Sequence, residues 1–251
     1  MQNKNQVVIY GRHAVFAALA NPRRSIVRVV CLKENAAELR GRIGEKKLSV
    51  VERRELEKML PREAVHQGMA AVAERQTYGN CFLNSSYRCL AGSVNVSPSF
   101  NVIFPFSLEE LCEKAREKEN CHLLVLDQVT DPQNIGAIIR SCAAFDALAL
   151  MVQDKNSPQE SGAMLKAAAG TFELLPVCRV TNLSRAVEKL KKEGFWAVGM
   201  DGYAKTDVSA LQKGGKLAVI MGSEGAGMRR LVEETCDLTV RLPINPEVES
   251  L

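Results

Sequence analysis

Apolar and polar positions divide most of the chain into strand-like and helix-like runs that alternate. Gln6-Val7-Val8-Ile9-Tyr10 is short and β-prone and breaks at Gly11; residues 13–19 are helix-like and stop at Asn21-Pro22. Residues 26–32 read as a buried strand, 35–43 as a helix, 49–51 as a short strand, 52–60 as a charged helix and 68–73 as a last strand. Residues 77–106 are rich in Asn and Ser and nearly uncharged, which predicts a linker with little regular structure. Ser107 is placed to cap a helix over 108–119, with Glu110 at the capping-box position. From His122 onward, strands are predicted at 123–126, 147–152, 174–180, 195–200, 217–221 and 238–242, and helices at 132–145, 160–169, 183–193 and 226–234. The expected fold class is α/β. A small sheet with helices occupies residues 1–76, and a mostly parallel sheet covered on both faces occupies residues 107–251.

Composition adds the setting. Hydrophobic residues make up 46% and charged residues 25% of the 251 positions, an ordinary globular balance. No apolar run has the length of a membrane span, and Met1–Gln6 lack a signal peptide's apolar core, so a cytoplasmic protein is expected. Eight cysteines form no C-x-x-C pair and the three histidines are scattered. This predicts free thiols in a reducing compartment and no metal. The net charge of +4 hides a split: residues 1–76 carry 15 Lys+Arg against 8 Asp+Glu, while residues 77–251 carry 18 against 21. A basic first domain suits a polyanion; uneven surface charge without function is the alternative.

Two glycine-punctuated segments each follow a strand and open a helix, the place where open α/β sheets bind ligands. The first runs from Asp127 to Gly136 and leads into Arg140. Asp131-Pro132 suits an N-cap and first turn, and Gly136 admits a close backbone or ligand. Arg140 is the lone charge in an apolar helix and needs a carboxylate, a phosphate or a helix end; an ion pair with Asp127 or Glu224 is the structural alternative. The second segment, Gly222-Ser223-Glu224-Gly225-Ala226-Gly227, has neither the dinucleotide fingerprint nor a phosphate-loop lysine. Glu224 faces whatever binds there, or is a helix N-terminal acid favoured by the dipole. A third segment, Arg241 to Leu251, contains Pro243 and Pro246 and predicts an extended loop.

In order and spacing these segments resemble the three signature motifs of the SpoU/TrmH family of RNA ribose 2′-O-methyltransferases, in the SPOUT superfamily. The matching residues are Asp131-Pro132-x-Asn134-x-Gly136 with Arg140, then Gly222-Ser223-Glu224-Gly225-x-Gly227, then Leu242-Pro243 through Glu249-Ser250-Leu251. Tyr10–Val15 and Val65–Met69 resemble the substrate domain of the subgroup that methylates a guanosine of 23S rRNA, which has a fold like ribosomal protein L30e. The resemblance implies an L30e-like RNA-binding domain (1–76), a linker (77–106) that is long for the family, and an α/β-knot methyltransferase domain (107–251). It also implies S-adenosylmethionine as cofactor, RNA as partner and a homodimer. The chain stops before the family's next asparagine and last helix, so an incomplete knot is expected.

The family's roles carry over residue by residue. Gly222, Leu242 and Leu251 are implied to line the cofactor pocket, and Asn134, Arg140, Glu224 and Ser250 to surround the reacting centre. The family's arginine has been assigned as general base. Because arginine keeps its proton, a phosphate held by Arg140 offers another proton route, with Glu224 orienting the group. Arg12 and His13 are candidate RNA contacts, and Arg23, Arg24 and Arg28 candidate phosphate contacts, with a solvated surface as the alternative. Two other readings stand beside this one: a non-catalytic RNA-binding relative that has lost the cofactor pocket, and a tRNA ribose methyltransferase. A nucleotide-dependent enzyme is disfavoured by the missing fingerprints.

Overall fold

The computed structural model describes residues 5–22, 24–43, 47–62, 64–75, 105–155, 157–211 and 214–244. Arg23, Ser250, Leu251 and nearly all of the expected linker lie outside the described residues. The elements run β1 (Gln6–Tyr10), α1 (Arg12–Ala20), β2 (Ile26–Cys31), α2 (Ala36–Arg40), β3 (Leu48–Val50), α3 (Arg53–Lys58), β4 (Met69–Glu74) and β5 (Pro105–Phe106). They continue with α4 (Leu108–Arg116), β6 (Cys121–Leu126), α5 (Pro132–Ala144), β7 (Leu150–Gln153), α6 (Gly162–Ala167), β8 (Val177–Val180) and α7 (Leu183–Lys192). The last elements are β9 (Phe195–Met200), β10 (Thr206–Asp207), β11 (Lys216–Met221), α8 (Arg230–Glu233) and β12 (Leu238–Arg241). Two compact units are formed.

The first unit combines residues 1–77 with 131–143 and 158–174. Its sheet has the order β1-β4-β2-β3, with β4 antiparallel to both neighbours and β3 parallel to β2. Met69 through Ala73 are buried without alternation, as a strand covered on both faces requires. A register shift between Ile26 and Arg28 leaves Val27 and Arg28 exposed. Helix α5 buries Ile135, Gly136, Ile139 and Cys142, one helical face. A Cβ on Gly136 would stand 2.4 Å from the Met164 carbonyl oxygen, and one on Gly162 2.5 Å from that of Val8. The backbones of α5 and α6, and of α6 and β1, therefore approach to distances that only glycine permits, so Gly136 serves helix packing.

The sequence expectation for Arg24 is corrected here. Its side chain is wholly buried between the carboxylates of Glu160 and Glu173, with Nε 3.0 Å from Glu173 Oε1. Asn21 donates to Glu173 as well. Burial by itself would lower the Arg24 pKa; the two carboxylates outweigh it and hold the guanidinium above the ordinary arginine value. The guanidinium also lies 5.9 Å from the Phe172 ring centroid. A buried group with its donors already engaged does not contact RNA phosphate.

The second unit, residues 78–130, 144–157 and 175–251, holds an eight-stranded sheet in the order β10-β12-β9-β11-β6-β7-β8-β5. Every strand pair in it is parallel. Leu183, Ala186, Val187 and Leu190 place one face of α7 in the core with Leu123, Val125, Met151, Cys178 and Ile220. Ser107 and Glu110 form the expected capping box of α4, at 3.1 and 2.8 Å.

Several element bounds differ from expectation, two of them for a plain physical reason. The strand expected from Leu174 starts at Val177, because Thr171–Glu173 form a 3-10 turn and Pro176 has no amide to donate. The helix expected from Ala226 starts at Arg230, because Gly225 and Gly227 take positive φ of 81° and 69°. Glu224 is therefore a loop residue, and its reading as a helix N-terminal acid is set aside.

Candidate active site

In the second unit the loops after β6, β9, β11 and β12 follow four adjacent strands. Chain order reverses between β6 and β11: β7 lies on one side of β6 and β11 on the other. Such a switch point leaves a crevice beyond the strands' C-terminal ends. The β11 loop is built for that place. Ser223 N donates to the Gly227 carbonyl at 3.1 Å, and Gly227 N returns a bond to the Ser223 carbonyl at 2.9 Å. The loop thereby curls back over its own start: a Cβ on Gly222 would lie 2.0 Å from the Gly227 carbonyl carbon and 2.2 Å from Met228 N. No side chain fits there, so the wall is main chain. Glu224, Gly225 and Ala226 are exposed at the tip.

Arg229 anchors the far end of this loop. Its main-chain N and its Nε each lie 2.8 Å from an oxygen of Asp127, and Nη2 lies 2.9 Å from Gln153 Oε1. Asp127 N donates in turn to the Met221 carbonyl at 2.8 Å. Ends of β6, β7 and β11 are thus tied together through Asp127 and Arg229. Arg229 is the cation that meets the Asp127 carboxylate within this unit. The clue available in the sequence was an acid directly after a buried strand, which must find a cation.

Leu242 follows β12 and is 45% exposed, with Ile244 beyond it at 37%. Strand β9 lies between β12 and β11 and ends in a turn where Asp201 N donates to the Val240 carbonyl at 2.9 Å. Gly222 and Leu242 therefore flank the end of β9. Beside Arg229 lies an open cavity of about 520 Å³, lined among others by Gln153, Asn182, Arg185, Glu188 and Leu231. Neither Gly222, Glu224 nor Leu242 lines it.

In the first unit, Asn134 and Arg140 lie on the exposed face of α5, opposite its buried residues. Asp131 caps this helix, accepting from Gln133 N at 3.0 Å. Arg140 comes six positions after Asn134, about 9 Å of helix rise. Cys142 on the buried face has its pKa pushed up to about 11 by burial. Cys178 in the second unit rises to about 12 and Cys236 to about 11 for the same main reason. These thiols stay protonated near neutrality and act as packing groups. Among the described residues there is no cluster of three or more His, Cys, Asp or Glu placed to hold a metal. No described helix is long and apolar enough to cross a membrane.

The two N-terminal segments picked out by sequence meet in the first unit. Arg12 N donates to Gln67 Oε1 at 2.8 Å, and Gly11 N to the Met69 carbonyl at 3.4 Å. Arg12, His13 and Arg28 are exposed. Arg42, which sequence reasoning passed over, joins Arg12 at Phe16: their guanidinium carbons lie 4.9 and 5.2 Å from the ring centroid. Phe16 sits one helical turn after Arg12, a spacing that would have signalled the contact.

Comparison with known proteins bears on both units. The SpoU rRNA Methylase family model matches residues 122–251, and a model for RNA 2′-O ribose methyltransferase substrate binding matches residues 8–79. The chain is 38% identical over 251 residues to the 23S rRNA (guanosine-2′-O-)-methyltransferase RlmB of Pseudomonas putida, covering 97% of this chain and 89% of that protein. It is 43% identical over 133 residues to RlmB of Photobacterium profundum, covering 53% and 54%. Among solved structures it is similar to the SpoU methyltransferase AviRb from Streptomyces viridochromogenes in complex with AdoMet. That match has a TM-score of 0.68 at 19% identity, over 98% of this chain and 84% of the other, and shows a shared fold.

Proposed function

Because the chain belongs to the SpoU rRNA methylase family, we propose that it is an S-adenosylmethionine-dependent enzyme that methylates the ribose 2′-hydroxyl of a guanosine in 23S rRNA. The observation that carries this reading is similarity to RlmB along 97% of the chain. That span includes the substrate-binding and the methylase segments in the same order.

The residues present fit the cofactor. A nucleoside needs a flat apolar surface and main-chain partners. The curled loop at Gly222, which excludes any side chain, and the exposed Leu242 supply both kinds of surface. We assign Gly222 and Leu242 to holding S-adenosylmethionine, with Leu251 as the third such residue. When bound, S-adenosylmethionine supplies an activated methyl group on a positively charged sulfur. Asn134, Arg140, Glu224 and Ser250 are assigned to the reacting centre. The protein's task is to align the 2′-hydroxyl and let its proton leave. A guanidinium offers donors and no acceptor, so the Arg140 fork suits a substrate phosphate, whose free oxygen then takes the hydroxyl proton. Glu224 orients the bound nucleotide. The exposed Arg12, His13 and Arg28 hold RNA, and selecting a 2′-hydroxyl selects RNA over DNA.

The reading extends to a homodimer working in the cytoplasm, where a bacterial rRNA substrate is found; sedimentation velocity tests the dimer. Transfer of tritium from methyl-labelled S-adenosylmethionine to a 23S rRNA transcript tests the activity. The labelled site is expected to resist alkaline cleavage, because a methylated 2′-oxygen cannot attack the adjacent phosphate. Binding of rRNA with neither label transfer nor calorimetric binding of S-adenosylmethionine would instead identify a non-catalytic relative.

A further inference from the structure

We infer that Glu38 occupies the phosphate-binding fork of Arg12 in the free protein, so that RNA must displace this carboxylate to engage Arg12. The inference rests on the reading that this chain acts on RNA. Arg12 Nη1 lies 2.6 Å from Glu38 Oε2, and Nη2 donates to Oε1. Both prongs of the guanidinium are thus taken by one carboxylate, the geometry with which arginine grips a phosphate. The pair is open to water, with the two side chains 46% and 39% exposed. An exposed pair holds weakly, so a polyanion that brings many phosphates can replace it.

The surroundings are arranged for such an exchange. Phe16 lies against the guanidiniums of both Arg12 and Arg42, and so holds the Arg12 guanidinium at a site independent of Glu38. The backbone of Arg12 is fixed separately, through Gln67 Oε1. Gln67 itself has φ of 52° and is exposed, and its carbonyl accepts from Asn35 Nδ2 at 3.2 Å. Strained backbone held by side chains is a feature of binding sites. Loss of Glu38 therefore leaves Arg12 in position with its fork open. Guanidinium planes and aromatic rings are also the surfaces on which unpaired bases stack, which brings Phe16 and Arg42 into the same contact.

A double-mutant cycle on binding of a 23S rRNA transcript, read by filter retention across a salt series, tests this. Glu38→Gln is expected to tighten binding about two- to five-fold, the range that opening an exposed ion pair allows. Arg12→Ala is expected to weaken binding and flatten the slope of log K against log salt by about 0.7–0.9, one phosphate contact. In the Arg12→Ala background the gain from Glu38→Gln is expected to vanish. A gain of equal size in both backgrounds overturns the inference, because it reports only general charge removal. No gain in either background, with thermal melts unchanged, overturns it as well. Label transfer by the wild-type protein to the same transcript separates the two readings. Transfer with no Glu38 effect removes this inference alone, whereas neither binding nor transfer removes the proposed function too.

Discussion

Arg229 meets the buried carboxylate of Asp127 through its main-chain N and through its guanidinium, with N and Nε at 2.8 Å and Nη2 at 2.6 Å. The main-chain bond fixes the course of the chain as it leaves the glycine loop, and the guanidinium contacts fix the side chain. Asp127→Ala would leave the loop end untied and the Arg229 amide without its acceptor. Because Arg229 is about a third exposed, water compensates part of the loss. A destabilisation of about 1–3 kcal/mol is expected from urea unfolding, with weaker S-adenosylmethionine binding in calorimetry.

Gly222→Ala and Gly225→Ala separate two uses of glycine. A Cβ at 222 runs into backbone at 2.0 Å, whereas one at 225 meets open space and only the strain of a positive φ. Calorimetry is expected to show Gly222→Ala losing S-adenosylmethionine affinity by more than about tenfold. Gly225→Ala should cost about 1 kcal/mol of stability, with modest loss of affinity. Equal affinities for the two variants would remove the main-chain wall at Gly222 from the cofactor site.

Replacing Arg24 tests the correction made to its role. Arg24→Met leaves two buried carboxylates without their cation, and a loss of about 3–5 kcal/mol is expected in denaturant melts. At temperatures where the variant stays folded, the salt slope of rRNA binding should equal that of the wild type. Arg28→Ala should show the reverse: an unchanged melt and a flatter slope.

Burial gives the cysteines a defined alkaline signature. Folded Cys142, Cys178 and Cys236 keep their protons to about 11, 12 and 11, while an ordinary thiol loses its proton near 9. Above about pH 9 the unfolded chain binds fewer protons than the folded one, so this contribution to stability is whole below pH 9. It declines as pH rises from there through the folded values. Urea midpoints between pH 8 and 10.5 should fall, and less steeply in Cys178→Ala. Iodoacetamide at pH 8 should leave these thiols unmodified until urea is added.

Arg140→Lys keeps the charge and removes the fork. If Arg140 grips a phosphate with both prongs, single-turnover methylation should slow by roughly tenfold or more, with S-adenosylmethionine binding unchanged. Near-normal turnover would argue against the two-pronged role.

Much of the fold was legible because burial follows periodicity. A helix was expected over 183–193, where α7 forms, and Ser107 with Glu110 announced the start of α4. The glycine segments and their placement after strands were legible too. The rest depended on partners distant in sequence. Arg24 looks like any basic surface residue until Glu160 and Glu173, 136 and 149 positions away, are folded onto it. The short α8 depended on backbone angles at Gly225 and Gly227, which the apolar pattern does not encode. Asp127 and Arg229 are 102 positions apart, and Arg140 stood nearer to Asp127 in the sequence as a candidate partner.

The order of strands in the larger sheet constrains how the chain is made. Strand β6 sits between β7 and β11, and Leu123 pairs with Ala218, 95 positions further along the chain. During synthesis β6 is present long before β11 leaves the ribosome, so one edge of an apolar strand waits unpaired. Parallel pairing across such a separation is slow. A nascent chain in that state is a natural client for chaperones and is prone to premature association with other unfinished chains.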